Sequence, residues 1–144
     1  MKILDFIALT CATTMAQTEP DGGVSSRYFR YAAKNIPHIT KVEKGGEDAW
    51  VASHNLLVVA DGVGGWANRG IDSGLFSKQL VANIKTNFDI NEAQELKNVL
   101  ADSVKGNPNI GSSTCVLAKF DTSRPNHLKA TNLGDSGYLL LRPD

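Results

Sequence analysis

Leu57-Val58-Val59-Ala60-Asp61-Gly62-Val63-Gly64-Gly65-Trp66 decides the fold, because a short valine-rich apolar run passes directly into an aspartate and a glycine-rich turn. A uniformly apolar run of four reads as a strand buried on both faces. The aspartate therefore emerges at the end of a sheet, where glycines allow the backbone to turn sharply. Just upstream, residues 49–52 and 56–60 are two short apolar runs separated by Ser53-His54-Asn55, the pattern of a β-hairpin. Glu47 and Asp48 stand at the start of the first run. Antiparallel pairing of the two runs brings Glu47 and Asp61 to the same end of the sheet.

Working outward, Ile71, Leu75, Phe76, Leu80, Ile84 and Phe88 recur at three-to-four spacing and predict an amphipathic helix over 72–87. A second helix follows: Asn91 with Gln94 resembles a capping box, Ala93, Leu96, Leu100 and Val104 mark its buried face, and Gly106 stops it. After a loop over 107–113, three strands are read at 114–120, 127–132 and 138–141. An earlier strand is read at 27–34 from Tyr28, Phe29 and Tyr31, followed by Asn35-Ile36-Pro37, where Pro37 would end any helix. This order of strands, two helices and a β-meander makes the fold class α+β, with helices laid on an antiparallel sheet. A last strand at 138–141 leaves a bare sheet edge, so the expectation is a chain that forms part of a larger domain.

Composition narrows the function. The chain has 144 residues, 42% of them apolar, and 15 Lys+Arg balance 15 Asp+Glu. A neutral chain has no electrostatic footprint for a phosphate backbone, which argues against nucleic acid as a partner, and no apolar run reaches the length of a membrane span. Cys11 and Cys115 are the only cysteines, too few for a disulfide scaffold or a four-ligand zinc site. Residues 1–16 carry a lone Lys2 before a mostly apolar stretch interrupted by Asp5, and they read equally as a secretory leader cleaved after Ala16 or as an N-terminal strand or disordered leader. Residues 18–26 read as a loop. The domain proper is placed at 27–144.

The chemistry concentrates in glycine-flanked carboxylates. Hard divalent cations take oxygen ligands, and an Asp followed by Gly offers both a carboxylate and an unobstructed backbone carbonyl. Glu47, Asp61 and a carbonyl at one sheet end thus make a candidate Mg²⁺ or Mn²⁺ site. A second such element is Asn132-Leu133-Gly134-Asp135-Ser136-Gly137. Gly-Asp-Ser-Gly also occurs as the nucleophile loop of chymotrypsin-like proteases, but none of His38, His54 and His127 has the Ala-Ala-His-Cys setting that places the base, and two helices do not fit a double barrel. No phosphate-loop motif of the nucleotide-binding kind is present. Gly111-Ser112-Ser113-Thr114 reads as a turn entering a strand.

Gly45-Gly46-Glu47-Asp48-Ala49, Val59 to Trp66, Gly111 to Thr114 and Ala130 to Gly137 together resemble, in order, four motifs of the metal-dependent protein phosphatases of type 2C. Ile36 to Val42 and Trp66 are similar to the homolog 7 branch of that family, whose best-described members are mitochondrial, whereas the leader suggests the secretory route. The resemblance runs over residues 36–142 and corresponds to the N-terminal half of the family's catalytic domain. It implies a four-layer α-β-β-α sandwich, here incomplete, and hydrolysis of phosphoserine and phosphothreonine in a phosphoprotein by a metal-activated water. It also implies roles: Asp61 bridging two ions, Glu47 and the Gly62 carbonyl holding one of them, Asp48 fixing a water, and Asp135 lying near a weaker third ion. The family's phosphate-gripping Arg falls at Glu43, so Lys41 or Lys44 is expected to replace it. Because the family's remaining metal aspartates would lie beyond Asp144, two ions are expected per complete domain and at most one here. The alternative reading is a catalytically inactive phosphatase-like module that binds a partner or phosphopeptide. Oligomeric state is not legible in the sequence.

Overall fold

The computed structural model describes residues 6–14, 28–121 and 123–142. The cleavage position after Ala16 and the 18–26 loop lie outside the described residues. Strand β1 (Phe6–Thr14) pairs antiparallel with β2 (Tyr28–Ile36) in the register Phe6↔Ile36 to Thr14↔Tyr28. A separate antiparallel sheet contains β3 (Asp48–Ala52), β4 (Leu56–Asp61), β5 (Cys115–Asp121) and β6 (Arg124–Leu133) in sequential order. The connection from β4 to β5 carries α1 (Ser73–Ile90) and α2 (Leu96–Lys105).

Period-two alternation on β4 buries Leu56, Val58 and Ala60 completely. Register aligns Val58 with Leu117 of β5, so Leu117 and Cys115 share that face. Against it pack Leu80, Ile84 and Phe88 of α1, spaced by four, and Leu96, Val99 and Leu100 of α2. The α+β expectation is met, with the helices on one face of an antiparallel sheet. The reading of β4 as buried on both faces is corrected: Leu57 and Val59 are only half-buried, because the helices cover one face alone. On the other face, Phe29 of β2 stacks on Phe120 of β5 with ring centroids 4.4 Å apart, and the Phe29 N–H donates to the His54 carbonyl at 2.7 Å. The β1–β2 ribbon thus touches the sheet surface turned away from the helices.

Three further expectations change. Helix α1 is N-capped by Asp72, whose side chain accepts from the Gly74 N–H at 2.9 Å, but Leu75 is exposed. At 100° per residue it lies off the stripe marked by Ser77, Leu80 and Ile84. The Asn91/Gln94 capping box does not form. Asn91 closes α1 instead, its N–H already bonded to the Asn87 and Phe88 carbonyls, and α2 starts only at Leu96; in the linker the buried Lys119 ammonium donates to the carbonyls of Glu92 and Gln94, both at 2.6 Å. Val99 and Ser103, rather than Ala93 and Val104, complete the buried face of α2. Finally, residues 138–141 form no strand, and Leu139 and Leu141 are exposed. The turn before them is tied back to β5, where Ser136 Oγ meets Thr114 Oγ1, so the chain does not return along β6.

Cys115 sits in the core, and burial pushes its thiol up to about 12. The neutral thiol is favoured in the folded state, so this contribution is intact below the unfolded thiol's range and fades as pH rises from about 9 toward 12. In a Cys11→Ser background, native protein at pH 8 is expected to resist a thiol reagent until denaturant is added. Prompt labelling of the native state would contradict the burial.

Candidate active site

The pairing register lines up four strand ends. Asp48 stands opposite Asp61, Gly62 bridges to Ser113, and Cys115 pairs with Leu133 immediately before Gly134 and Asp135. Glu47-Asp48, Asp61-Gly62, Ser113-Thr114 and the Asp135 turn therefore share one end of the sheet, as the sequence predicts for Glu47 and Asp61. Cross-strand partners project from the same face, so Asp48 and Asp61 are like charges side by side. Asp48 is 4% exposed and Glu47 6%.

The backbone around Asp61 is held from three directions. Thr114 donates its N–H to the Asp61 carbonyl at 2.9 Å and accepts the Asp61 N–H on its hydroxyl at 3.2 Å. Ser113 Oγ donates to the same carbonyl at 2.8 Å. One residue on, the Gly62 N–H donates to the Glu47 carbonyl at 3.1 Å. A Cβ at Gly62 would lie 2.7 Å from that carbonyl oxygen and 2.8 Å from the Ser73 carbonyl oxygen, so two backbones close on this position. Ser112 finishes the clamp: its carbonyl accepts from the Val63 N–H at 3.0 Å and its hydroxyl from Trp66 Nε1 at 2.8 Å. Gly111-Ser112-Ser113-Thr114, a mere turn in the sequence, is thus what fixes the Asp61–Trp66 loop. Its partners lie some fifty residues away, and no local signal announces them.

Glu47 is anchored at its carbonyl by Ser77 Oγ, and its carboxylate pairs with Lys41. Lys41 comes from a 3₁₀ helix over Ile39–Lys44 that the sequence reading missed; Gly45 closes it with φ +74°, a left-handed conformation that suits glycine. Of the two lysines singled out, the structure brings Lys41 to Glu47. Lys44 is exposed and lies 3.8 Å from Asp72. Asp135 is exposed on a turn held by Asn132 Nδ2 donating to the Ser136 carbonyl at 2.7 Å. Among the described residues no group of three or more His, Cys, Asp or Glu side chains converges closely enough to hold a metal ion. The lysine already engages the Glu47 carboxylate, and Asp135 faces solvent. The oxygen donors themselves, Glu47, Asp61 and the Gly62 carbonyl, are of the kind hard cations select.

No protein-family model matches the chain. It is 42% identical over 111 residues to probable protein phosphatase 2C 26 of Arabidopsis thaliana, covering 74% of this chain and 37% of that protein. It is 40% identical over 108 residues to the protein phosphatase PTC7 homolog fig of Drosophila willistoni, covering 67% of this chain and 34% of that one. The fold resembles the X-ray structure of the photosystem II phosphatase PBCP with a TM-score of 0.64 and 27% identity, over 89% of this chain and 44% of that chain. The chain thus spans about a third of the length of these two relatives. An α+β sheet whose adjacent strand ends gather Glu47, Asp48 and Asp61, together with these similarities, establishes that the chain belongs to the protein phosphatase 2C family, of whose catalytic domain it represents a part.

Proposed function

We propose that residues 27–144 carry part of the active centre of a protein serine/threonine phosphatase acting on phosphoserine and phosphothreonine in a phosphoprotein. The observation that carries this reading is the register pairing Asp48 with Asp61 while the Glu47 carbonyl accepts the Gly62 N–H. Two carboxylates at adjacent strand ends supply the anionic oxygens that a hard divalent cation selects. The donor chemistry fits Mg²⁺ or Mn²⁺, with Glu47, Asp61 and the Gly62 carbonyl as its holders and Asp135 as a weaker, solvent-side donor. Bound there, such an ion lowers the pKa of a water and neutralises phosphate charge.

This chain's own residues would do the rest. Asp48 accepts a proton-bearing edge of the attacking water and orients it toward phosphorus. Thr114 and Ser113 keep the Asp61 backbone from drifting as charge builds. Lys41, beside Glu47, would meet the phosphate as a point charge rather than a bidentate fork. Lys44, turned toward Asp72, is the less suited of the two. Cys115 is unfit as a nucleophile because it is buried and protonated, in keeping with attack by water.

A second reading, a phosphatase-like module that binds a partner or phosphopeptide without turnover, is favoured by the Lys41–Glu47 pair and by the lack of a three-carboxylate group among the described residues. Assay of the 144-residue chain on a phosphoserine peptide with Mn²⁺ separates the two. Turnover above the metal-only background supports the enzyme; folded protein that binds the peptide without turnover supports the module.

Titration with Mn²⁺ gives a further prediction. We expect at most one ion per chain, bound weakly, and a loss of affinity of roughly tenfold or more in Glu47→Gln, because carboxylate count sets affinity for hard cations. Two tight sites, or one site indifferent to Glu47→Gln, would overturn the ligand assignment.

A further inference from the structure

We propose that Trp66 and Arg69 form a specificity subsite for an acidic side chain flanking the phosphorylated residue of the substrate. This deepens, and rests on, the phosphatase reading above. Both residues lie in a 3₁₀ helix over Gly64–Arg69 that begins two residues after Gly62, so the subsite borders the Glu47–Asp61 end of the sheet. The Arg69 guanidinium stacks over the indole of Trp66, 5.4 Å from the ring centroid. Trp66 is itself fixed, since Nε1 donates to Ser112 Oγ at 2.8 Å and Ser112 belongs to the clamp on the Asp61 loop. The cation is therefore referred rigidly to the candidate catalytic carboxylates.

Together with Val63 and Gly65 the pair lines a cleft of about 240 Å³, enough for one side chain rather than a cofactor. Stacking occupies a face of the guanidinium and leaves its N–H edge as a planar fork, the geometry that matches a carboxylate. No carboxylate among the described residues pairs with Arg69, whereas the Arg124 guanidinium is held by Asp121. A surface cation that is pre-stacked, paired with no carboxylate among the described residues, and beside a candidate active centre is placed to read a negative charge. The reading above assigns Lys41 to the phosphate, which leaves Arg69 for a neighbouring residue of the peptide.

The test uses four labelled peptides of one sequence: phosphorylated or not, each with Asp or Ala at the positions flanking the serine. Their affinities for the full chain and its variants are read by fluorescence anisotropy. The wild type is expected to prefer the Asp-flanked peptide by roughly twofold to fivefold, as for a charge-assisted pair at an exposed site. Arg69→Gln should erase the preference without weakening the Ala-flanked peptide, and Arg69→Lys should restore only part of it. Trp66→Phe, which keeps a ring but loses the bond to Ser112, should reduce it. A wild type indifferent to flanking acid, or a preference that survives Arg69→Gln, overturns the subsite. Equal affinity for phosphorylated and unphosphorylated peptides would instead count against the phosphatase reading, while the Asp/Ala ratio still decides the role of Arg69.

Discussion

Asp61→Asn is expected to abolish measurable Mn²⁺ binding and to lower any phosphopeptide turnover at least about 100-fold, with the melting temperature nearly unchanged. The size of the effect follows from the role proposed for the carboxylate, since an amide offers one neutral oxygen where the cation needs charge, and several kcal/mol of phosphate neutralisation depend on it. The small stability change follows from geometry. Asp61 is half-buried at the strand end, opposite Asp48 in the β3–β4 register, and an amide of the same shape fits there without repacking. Its backbone bonds to Thr114 and Ser113 do not involve the substituted atoms. Isothermal titration, a phosphopeptide assay and thermal denaturation read the three quantities. Metal affinity retained within a few-fold would show that Asp61 is not a ligand.

Gly62→Ala should have the opposite profile, a loss of stability of about 3 kcal/mol that disturbs the site only as a consequence. The added methyl would meet the Glu47 and Ser73 carbonyl oxygens at 2.7 and 2.8 Å, and neither is the free end of a flexible side chain. Relief requires Gly62 to draw back from Glu47, which would break their hydrogen bond, and the start of α1 to shift, which would strain the bond from Ser77 to the same carbonyl. Gly137→Ala is the matched control, because no atom lies within 4 Å of its Cβ position. Urea denaturation of both variants measures the difference. Losses that are equal in the two would mean that the backbones do not close on Gly62.

The features legible in the sequence are those encoded by neighbouring residues. Alternating and four-spaced apolar residues specify the β3–β4 hairpin, the α1 stripe of Leu80, Ile84 and Phe88, and hence the α+β class. An Asp placed after a buried run predicts a carboxylate at the sheet end. The four motifs around Glu47, Asp61, Gly111 and Asp135 carried the family resemblance that the relatives bear out. The misreadings share a cause. Asn91 and Gln94 have local capping chemistry, but the Asn91 N–H is taken by the end of α1 and the Gln94 side chain by Asp102. Residues 138–141 have strand composition, but the Ser136–Thr114 contact directs the chain elsewhere.

Only the tertiary structure decided which groups meet at the sheet end. That Lys41 rather than Lys44 reaches Glu47 depends on how the 3₁₀ helix before Gly45 is closed. That Ser112, Ser113 and Thr114 clamp the Asp61 loop depends on β5 returning beside β4 after two intervening helices. Apolar periodicity expresses a preference of adjacent residues for water or for the core, and it can be read one segment at a time. A contact between residues some fifty positions apart exists only once burial has fixed the register of the strands that carry them.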